Sequence, residues 1–196
     1  MEDTLAWAFE KNGVYSVQSA YILLKDEEMR EIRASSVPES SSNSGAWWKL
    51  LWKMKIPSKV RIFWWRAIHN FLPVKCELFR RHVAKESFCE ECGHSQETVF
   101  HVAFECTAAL RFWQCIREIT GKKPPALHPS TWAKDLLIKN VCPANDAALF
   151  ACCVWSLWTG RNNRRHGNER WNPNAVAHYV EKMIEDLFMI HAKTEQ

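Results

Sequence analysis

The chain has 196 residues, 47% of them hydrophobic, and a formal net charge of +4, which is enough apolar surface for a globular core. No apolar run approaches the roughly 18 to 20 residues that a membrane-spanning helix needs. The opening Met1-Glu2-Asp3-Thr4 lacks the basic start and apolar stretch of a signal peptide, so neither a secreted nor an integral membrane protein is expected.

Taken in chain order, residues 5–17 predict a small hairpin. Leu5-Ala6-Trp7-Ala8-Phe9 forms one arm, Lys11-Asn12-Gly13 the turn, and Val14-Tyr15-Ser16-Val17 the other arm. Ser16 can cap a following helix to about residue 30, with Ala20, Leu23 and Leu24 on its apolar stripe. Residues 34–45 are Ser-rich and carry no core-forming pattern, which predicts a flexible linker. A helical pattern starts at Ala46 and breaks at Ile56-Pro57, where Pro57 opens a second helix to about Asn70. Pro73 opens a third, to about Ala84. Thr107 caps another, with Leu110, Trp113, Cys115 and Ile116 at helical spacing. Three more helices are expected at 130–139, 144–164 and 173–192. The predicted fold is mostly α, a small N-terminal β-hairpin plus a helical domain; Cys89, Cys92, His101 and Cys106, in the pattern C-x2-C-x8-H-x4-C, predict that this domain is built around one structural zinc site. The expected divisions are an N-terminal hairpin and helix (1–33), the linker (34–45), a zinc-binding domain (46–119) and a C-terminal helical extension (120–196).

Charge is segregated along the chain. Residues 1–45 hold four basic and eight acidic side chains, whereas residues 49–85 hold ten basic ones against Glu77 alone. Residues 86–118 turn acidic again, and four arginines fall between Arg161 and Arg170. A positive field this dense suits a polyanion such as nucleic acid. The competing explanation is that these charges solvate the outer faces of helices whose inner faces are Trp-rich core.

Eight cysteines in a chain with no export signal are better explained by metal binding or packing than by disulfides. Residues 89–106 carry the pattern C-x2-C-x8-H-x4-C: Cys89, Cys92, His101 and Cys106. A tight CxxC pair wraps one ion through a turn, and Gly93 supplies the backbone freedom that such a turn needs. Three thiolates and an imidazole suit zinc, as a closed structural site. His94 is an alternative to His101, although it follows Cys92 by only two residues. Cys76, Cys115, Cys142, Cys152 and Cys153 lie in apolar helical contexts and are expected to pack as small hydrophobes.

With these motifs in place, the sequence resembles the zinc-binding domain that follows the reverse transcriptase in plant LINE-type retrotransposons and in proteins derived from them. The resemblance rests on Trp7, Phe9, Gly13, Tyr15-Ser16-Val17 and Ser19-Ala20-Tyr21, and on the run from Trp48 through Ile56-Pro57-Ser58-Lys59-Val60 to Ala67. Leu72-Pro73-Val74-Lys75, the zinc pattern with Glu97-Thr98 ahead of His101, and Phe104-Glu105-Cys106 continue it. Residues 155–162, Trp-Ser-Leu-Trp-Thr-Gly-Arg-Asn, are similar to the segment that leads toward a ribonuclease H domain in longer relatives.

The resemblance implies a non-catalytic zinc-binding module from a retrotransposon polyprotein, located in the nucleus or cytoplasm and contacting RNA or DNA. Lys53, Lys55, Lys59, Arg61, Arg66, Arg80 and Arg81 are the candidate phosphate contacts. Trp64 or Trp65 could stack on unpaired bases if exposed, but Phe63-Trp64-Trp65 is a consecutive run and a Trp-rich helix is usually core. The alternative is a protein–protein interaction domain using residues 149–158 and 176–190. No catalytic residue and no small-molecule substrate is expected. Five scattered Asp residues cannot make the carboxylate clusters of a reverse transcriptase or a ribonuclease H.

Overall fold

The computed structural model describes residues 7–9, 14–35, 46–138, 140–167 and 171–194. Two compact units divide the chain, Met1–Ser44 and Gly45–Gln196.

The first unit contains helix α1, Val17–Ser35. Ser16 caps it as expected, its Oγ accepting the Ser19 backbone N–H at 3.1 Å. The predicted hairpin is a correction. Among the described residues no strand is present, and Ala8-Phe9 form a turn while residues 14–16 run irregularly into α1. Side-chain contacts explain the difference. The Trp7 indole N–H donates to Ser19 Oγ at 2.9 Å, and the Tyr15 ring meets the Trp7 ring edge-on at 5.1 Å. These contacts fold residue 7 back onto the start of the helix. Residues 5, 6 and 10–13 of the expected hairpin lie outside the described residues, as do residues 36–45 of the expected linker.

The second unit is helical. Its elements are α2 (Ala46–Lys53), α3 (Ser58–Ile68), α4 (Lys75–Arg80), a π-helical turn (His101–Glu105), α5 (Thr107–Thr120), α6 (Trp132–Asp135), α7 (Ala144–Arg165) and α8 (Pro173–Thr194). Proline starts α3 as the sequence predicts, with Pro57 just before it and its carbonyl accepting from Arg61. Two helices stop on non-glycine residues with positive φ, Asn70 after α3 and His82 after α4. In both, the next N–H reaches back five residues, from Phe71 to Arg66 at 2.8 Å and from Val83 to Leu78 at 2.9 Å. This caps the last carbonyls and ends α4 short of the expected residue 84. The helix expected over 130–139 shrinks to the single turn α6, because Leu137 and Ile138 bond three residues back rather than four.

Helix α7 forms the centre of the unit. Every residue from position 147 to 154 is buried, so the helix is apolar all round at that level. It packs on α3, the π-turn and α8, while α8 also packs on α5. Residues on both sides of position 119 therefore share one core, which includes Leu51, Trp64, Phe112, Ile116, Leu136 and Phe150. Two buried tryptophans find hydrogen-bond acceptors for their polar end. Trp64 donates to the Ala133 carbonyl at 2.8 Å, and Trp113 to the Ala103 carbonyl at 2.7 Å. No helix among the described residues is long and apolar enough to cross a membrane.

Candidate metal centre

Cys89, Cys92, His101 and Cys106 converge, with one ligand atom from each lying within 4.8 Å of all the others. Local hydrogen bonds set this geometry. The Cys89 N–H donates to the His94 carbonyl, and the Gly93 N–H donates back to the Cys89 carbonyl, each at 2.8 Å. Gly93 takes φ 77°, a left-handed conformation that side chains disfavour, and so closes the CxxC knuckle.

The other two ligands depend on the π-turn. On an α-helix a five-residue step turns about 500°, which leaves the two side chains about 140° apart. The Cys106 N–H instead donates to the His101 carbonyl at 2.8 Å, an i→i+5 bond that widens the turn and brings both residues to one side. Thr98 Oγ1 accepts the His101 N–H at 3.0 Å and fixes the start of this segment.

The donor set fits a zinc ion. Cys89 and Cys106 sulfurs are 3.9 Å apart, and Cys92 Sγ is 3.3 Å from His101 Nε2. A zinc tetrahedron with ordinary Zn–S and Zn–N bonds has edges of about 3.6 to 3.8 Å. His101 is buried, and its Nδ1 has no hydrogen-bond partner, while Glu105 holds a carboxylate oxygen 3.5 Å from it. A carboxylate behind the far nitrogen favours presenting Nε2 to a metal. His94 is exposed, its ring stacked on that of His101 at 4.6 Å, and it is not among the four converging residues. Without an ion, the Cys89 thiol is pushed up to about 12 by its hydrogen bond to Cys106 and by burial. The Cys106 thiol is lowered by accepting that same bond. A metal held by these four residues would take the place of that proton.

One residue of the site was not singled out by sequence reasoning beyond its motif. Glu97 is 3% exposed and lies at the end of the loop that leads into the ligand-bearing turn. Its carboxylate accepts the Lys75 backbone N–H at 2.9 Å and the Arg161 Nε at 3.3 Å, and pairs with Arg161 Nη2 as well. Both residues stand inside motifs visible in the sequence, Glu97-Thr98 and Gly160-Arg161-Asn162. An acid in one motif and an invariably charged arginine in another were the available signal. The neighbouring Glu91 takes a second arginine of α7, Arg164, at 2.9 Å.

The candidate phosphate contacts divide into groups. Lys53, Lys55, Lys59 and Arg66 are exposed on or beside α2 and α3. Lys59 Nζ stands 4.4 Å over the Trp155 ring. Arg61 is half-buried and donates to the Trp52 carbonyl at 3.3 Å. Arg80 is exposed on α4 but held by Glu77 at 2.7 Å, which raises its pKa, and Arg81 is exposed just beyond it. Lys75, part of the same basic stretch, is buried and paired with Glu90 at 2.5 Å. Trp64 is wholly buried and cannot stack on a base, whereas Trp65 is half-buried.

Fold and site together define a small helical module with a Cys3His cluster that could hold a metal ion. Residues 15–113, about half of the chain, match the family described as zinc-binding in reverse transcriptase, and the chain belongs to that family. Among curated proteins, a putative ribonuclease H protein of Arabidopsis thaliana is 27% identical over 195 residues, covering 97% of this chain and 29% of that protein. The chain thus spans less than a third of that relative's length. No solved structure matches.

Proposed function

We propose that this chain is a non-catalytic module, derived from a retrotransposon polyprotein, that folds around one structural zinc and contacts nucleic acid through α2 and α3. One observation carries the nucleic-acid part. From position 46 to 76 there is no acidic residue, while Lys53, Lys55, Lys59 and Arg66 stand exposed along that stretch. Exposed cations on one continuous segment with no acid among them attract phosphate, and the counterions they release drive binding. The zinc part follows from the donor set, since four protein ligands fill a tetrahedron and leave no position for an activated water. The longer relative's name, a putative ribonuclease H protein, agrees with an origin in a nucleic-acid-processing polyprotein. On this reading the protein works in the nucleus or cytoplasm.

A protein-docking role is the second reading. Its interaction surface is not residues 149–158, because that stretch of α7 is core. A groove of about 650 Å³ lined by Leu50, Met54, Leu137 and Phe188, together with Lys53 and Lys55, is the feature that favours it.

Native mass spectrometry and a binding titration test the proposal together. The expected result is one zinc per chain, lost in Cys89→Ser, and nucleic-acid affinity that falls steeply with added salt. Association that persists in high salt supports docking instead. Zinc-dependent turnover abolished by Cys89→Ser would sink the non-catalytic assignment.

A further inference from the structure

Helix α2 carries two tryptophans that the core does not use. Trp48 and Trp52 stand four residues apart on one face, 38% and 42% exposed, with ring centroids 5.3 Å apart. They continue into a ridge of rings. Trp48 meets Trp47 at 5.6 Å, Trp47 meets His69 at 5.9 Å, and His69 stacks on Phe71 at 5.6 Å. Phe71 is 55% exposed, in the loop after α3, and Trp65 closes the inner side against both His69 and Phe71. Exposed tryptophans in a row are costly in water unless something covers them.

The charges beside the ridge say what covers it. Lys49 and Lys53 lie one step round α2 from Trp48 and Trp52, and both are exposed. Arg66 is exposed at the far end, its carbonyl accepting the Phe71 N–H. Lys134 approaches the Trp47 ring at 6.0 Å. An apolar protein partner would have to bury these cations, whereas a nucleic-acid strand matches both features at once. Its phosphates meet the cations and its unpaired bases meet the rings. A duplex hides its base faces and can use the cations alone.

We infer that the Trp48–Trp52–Phe71 ridge is a stacking platform for an unpaired nucleic-acid strand. This rests on the nucleic-acid reading above and makes it specific: the module prefers single strands to duplex.

The test uses the zinc-loaded full chain and fluorescence anisotropy over a salt series. The probes are oligo(dT) and oligo(U) of about twelve nucleotides, in the range that single-strand grooves cover, and a duplex of equal length. The wild type is expected to bind the single strands more tightly than the duplex. Trp48→Ala/Trp52→Ala should weaken single-strand binding about tenfold or more, the scale of lost base stacking, with the duplex affinity and salt slope unchanged. Phe71→Ala, in a loop, should act in the same direction and guards against an effect of the double variant on α2. Lys53→Ala should instead lower the single-strand salt slope by about 0.7. If both aromatic variants bind single strands like the wild type, the platform is overturned and the nucleic-acid reading stands. Duplex bound as tightly as single strand also overturns it. A wild type that binds neither probe in a salt-sensitive way overturns both.

Discussion

Glu97 and Arg161, 64 residues apart, form a buried ion pair that ties the ligand-bearing loop to the central helix α7. The carboxylate also holds the first backbone N–H of α4, through Lys75. One acid therefore joins three segments: the loop, α4 and α7. Desolvating both charges is expensive, and the pair is favourable only because the guanidinium and a backbone donor satisfy the carboxylate together.

Removing one partner leaves the other charge buried and unpaired. Arg161→Ala or Glu97→Ala should each cost about 3–5 kcal/mol in urea unfolding of the zinc-loaded chain. Replacing both with apolar residues of similar volume, Glu97→Leu/Arg161→Met, should cost clearly less than the two single losses combined. Additive losses would show that the two side chains act independently.

Glu105 stands behind the far nitrogen of His101 at 3.5 Å, with its own side chain 48% exposed. Glu105→Gln keeps the shape and removes the charge that orients and polarises the imidazole. Zinc affinity, measured by competition with a chelating dye, should fall about 10- to 100-fold. Helical content with saturating zinc should stay unchanged. An unaltered affinity would mean that the carboxylate does not reach the ring in the loaded protein.

The sequence was most legible where a local rule applies. The CxxC knuckle with Gly93, the proline start of α3 and the Ser16 cap each follow from a few neighbouring residues. The hairpin failed because the Trp7 indole found Ser19 on α1, a contact that alternation of apolar residues does not encode. The role of Glu97 was hidden for a related reason: its partner is distant in sequence, and a motif does not name the residue it faces. The tryptophans show the same limit. Trp64 and Trp65 are adjacent, and only packing against Ala133 decides that Trp64 is the one sealed inside. Trp48 and Trp52, equally plausible as core by spacing, remain at the surface.

Gly160 is where α7 admits Trp171. A Cβ built on Gly160 would clash with the Trp171 indole ring, and the Arg164 guanidinium lies 5.0 Å from the centre of the same ring. Gly160→Ala should therefore displace Trp171 and cost about 1–3 kcal/mol despite the better helix propensity of alanine. A lower thermal midpoint is expected. Gly160→Ala with Trp171→Leu should recover part of it, since the smaller side chain makes room. A melt equal to the wild type would show that the indole can move aside freely.

The cysteines outside the metal centre differ sharply in their chemistry. Burial pushes the Cys152 thiol up to about 12 and Cys142, which also faces Asp146, up to about 11, and it raises Cys153 well above its ordinary range. Raised values favour the neutral thiol, and only the thiolate reacts quickly with alkylating reagents. At pH 8 the thiolate fraction of Cys142 is on the order of one in a thousand, against about a quarter for a free cysteine. Brief alkylation of the zinc-loaded chain should mark Cys76 and Cys115, which are partly exposed, and chelation should add Cys92. Labelling of Cys142, Cys152 and Cys153 should require unfolding. The same shifts set a pH dependence of stability. Folded chain holds these protons where unfolded chain releases them, so the contribution is complete below about pH 8.5 and falls as pH rises through the folded values. The urea midpoint of the zinc-loaded chain should accordingly drop between pH 8 and pH 10. Cys152→Ala/Cys153→Ala should flatten that decline, and an equally steep decline in this variant would assign it to other groups.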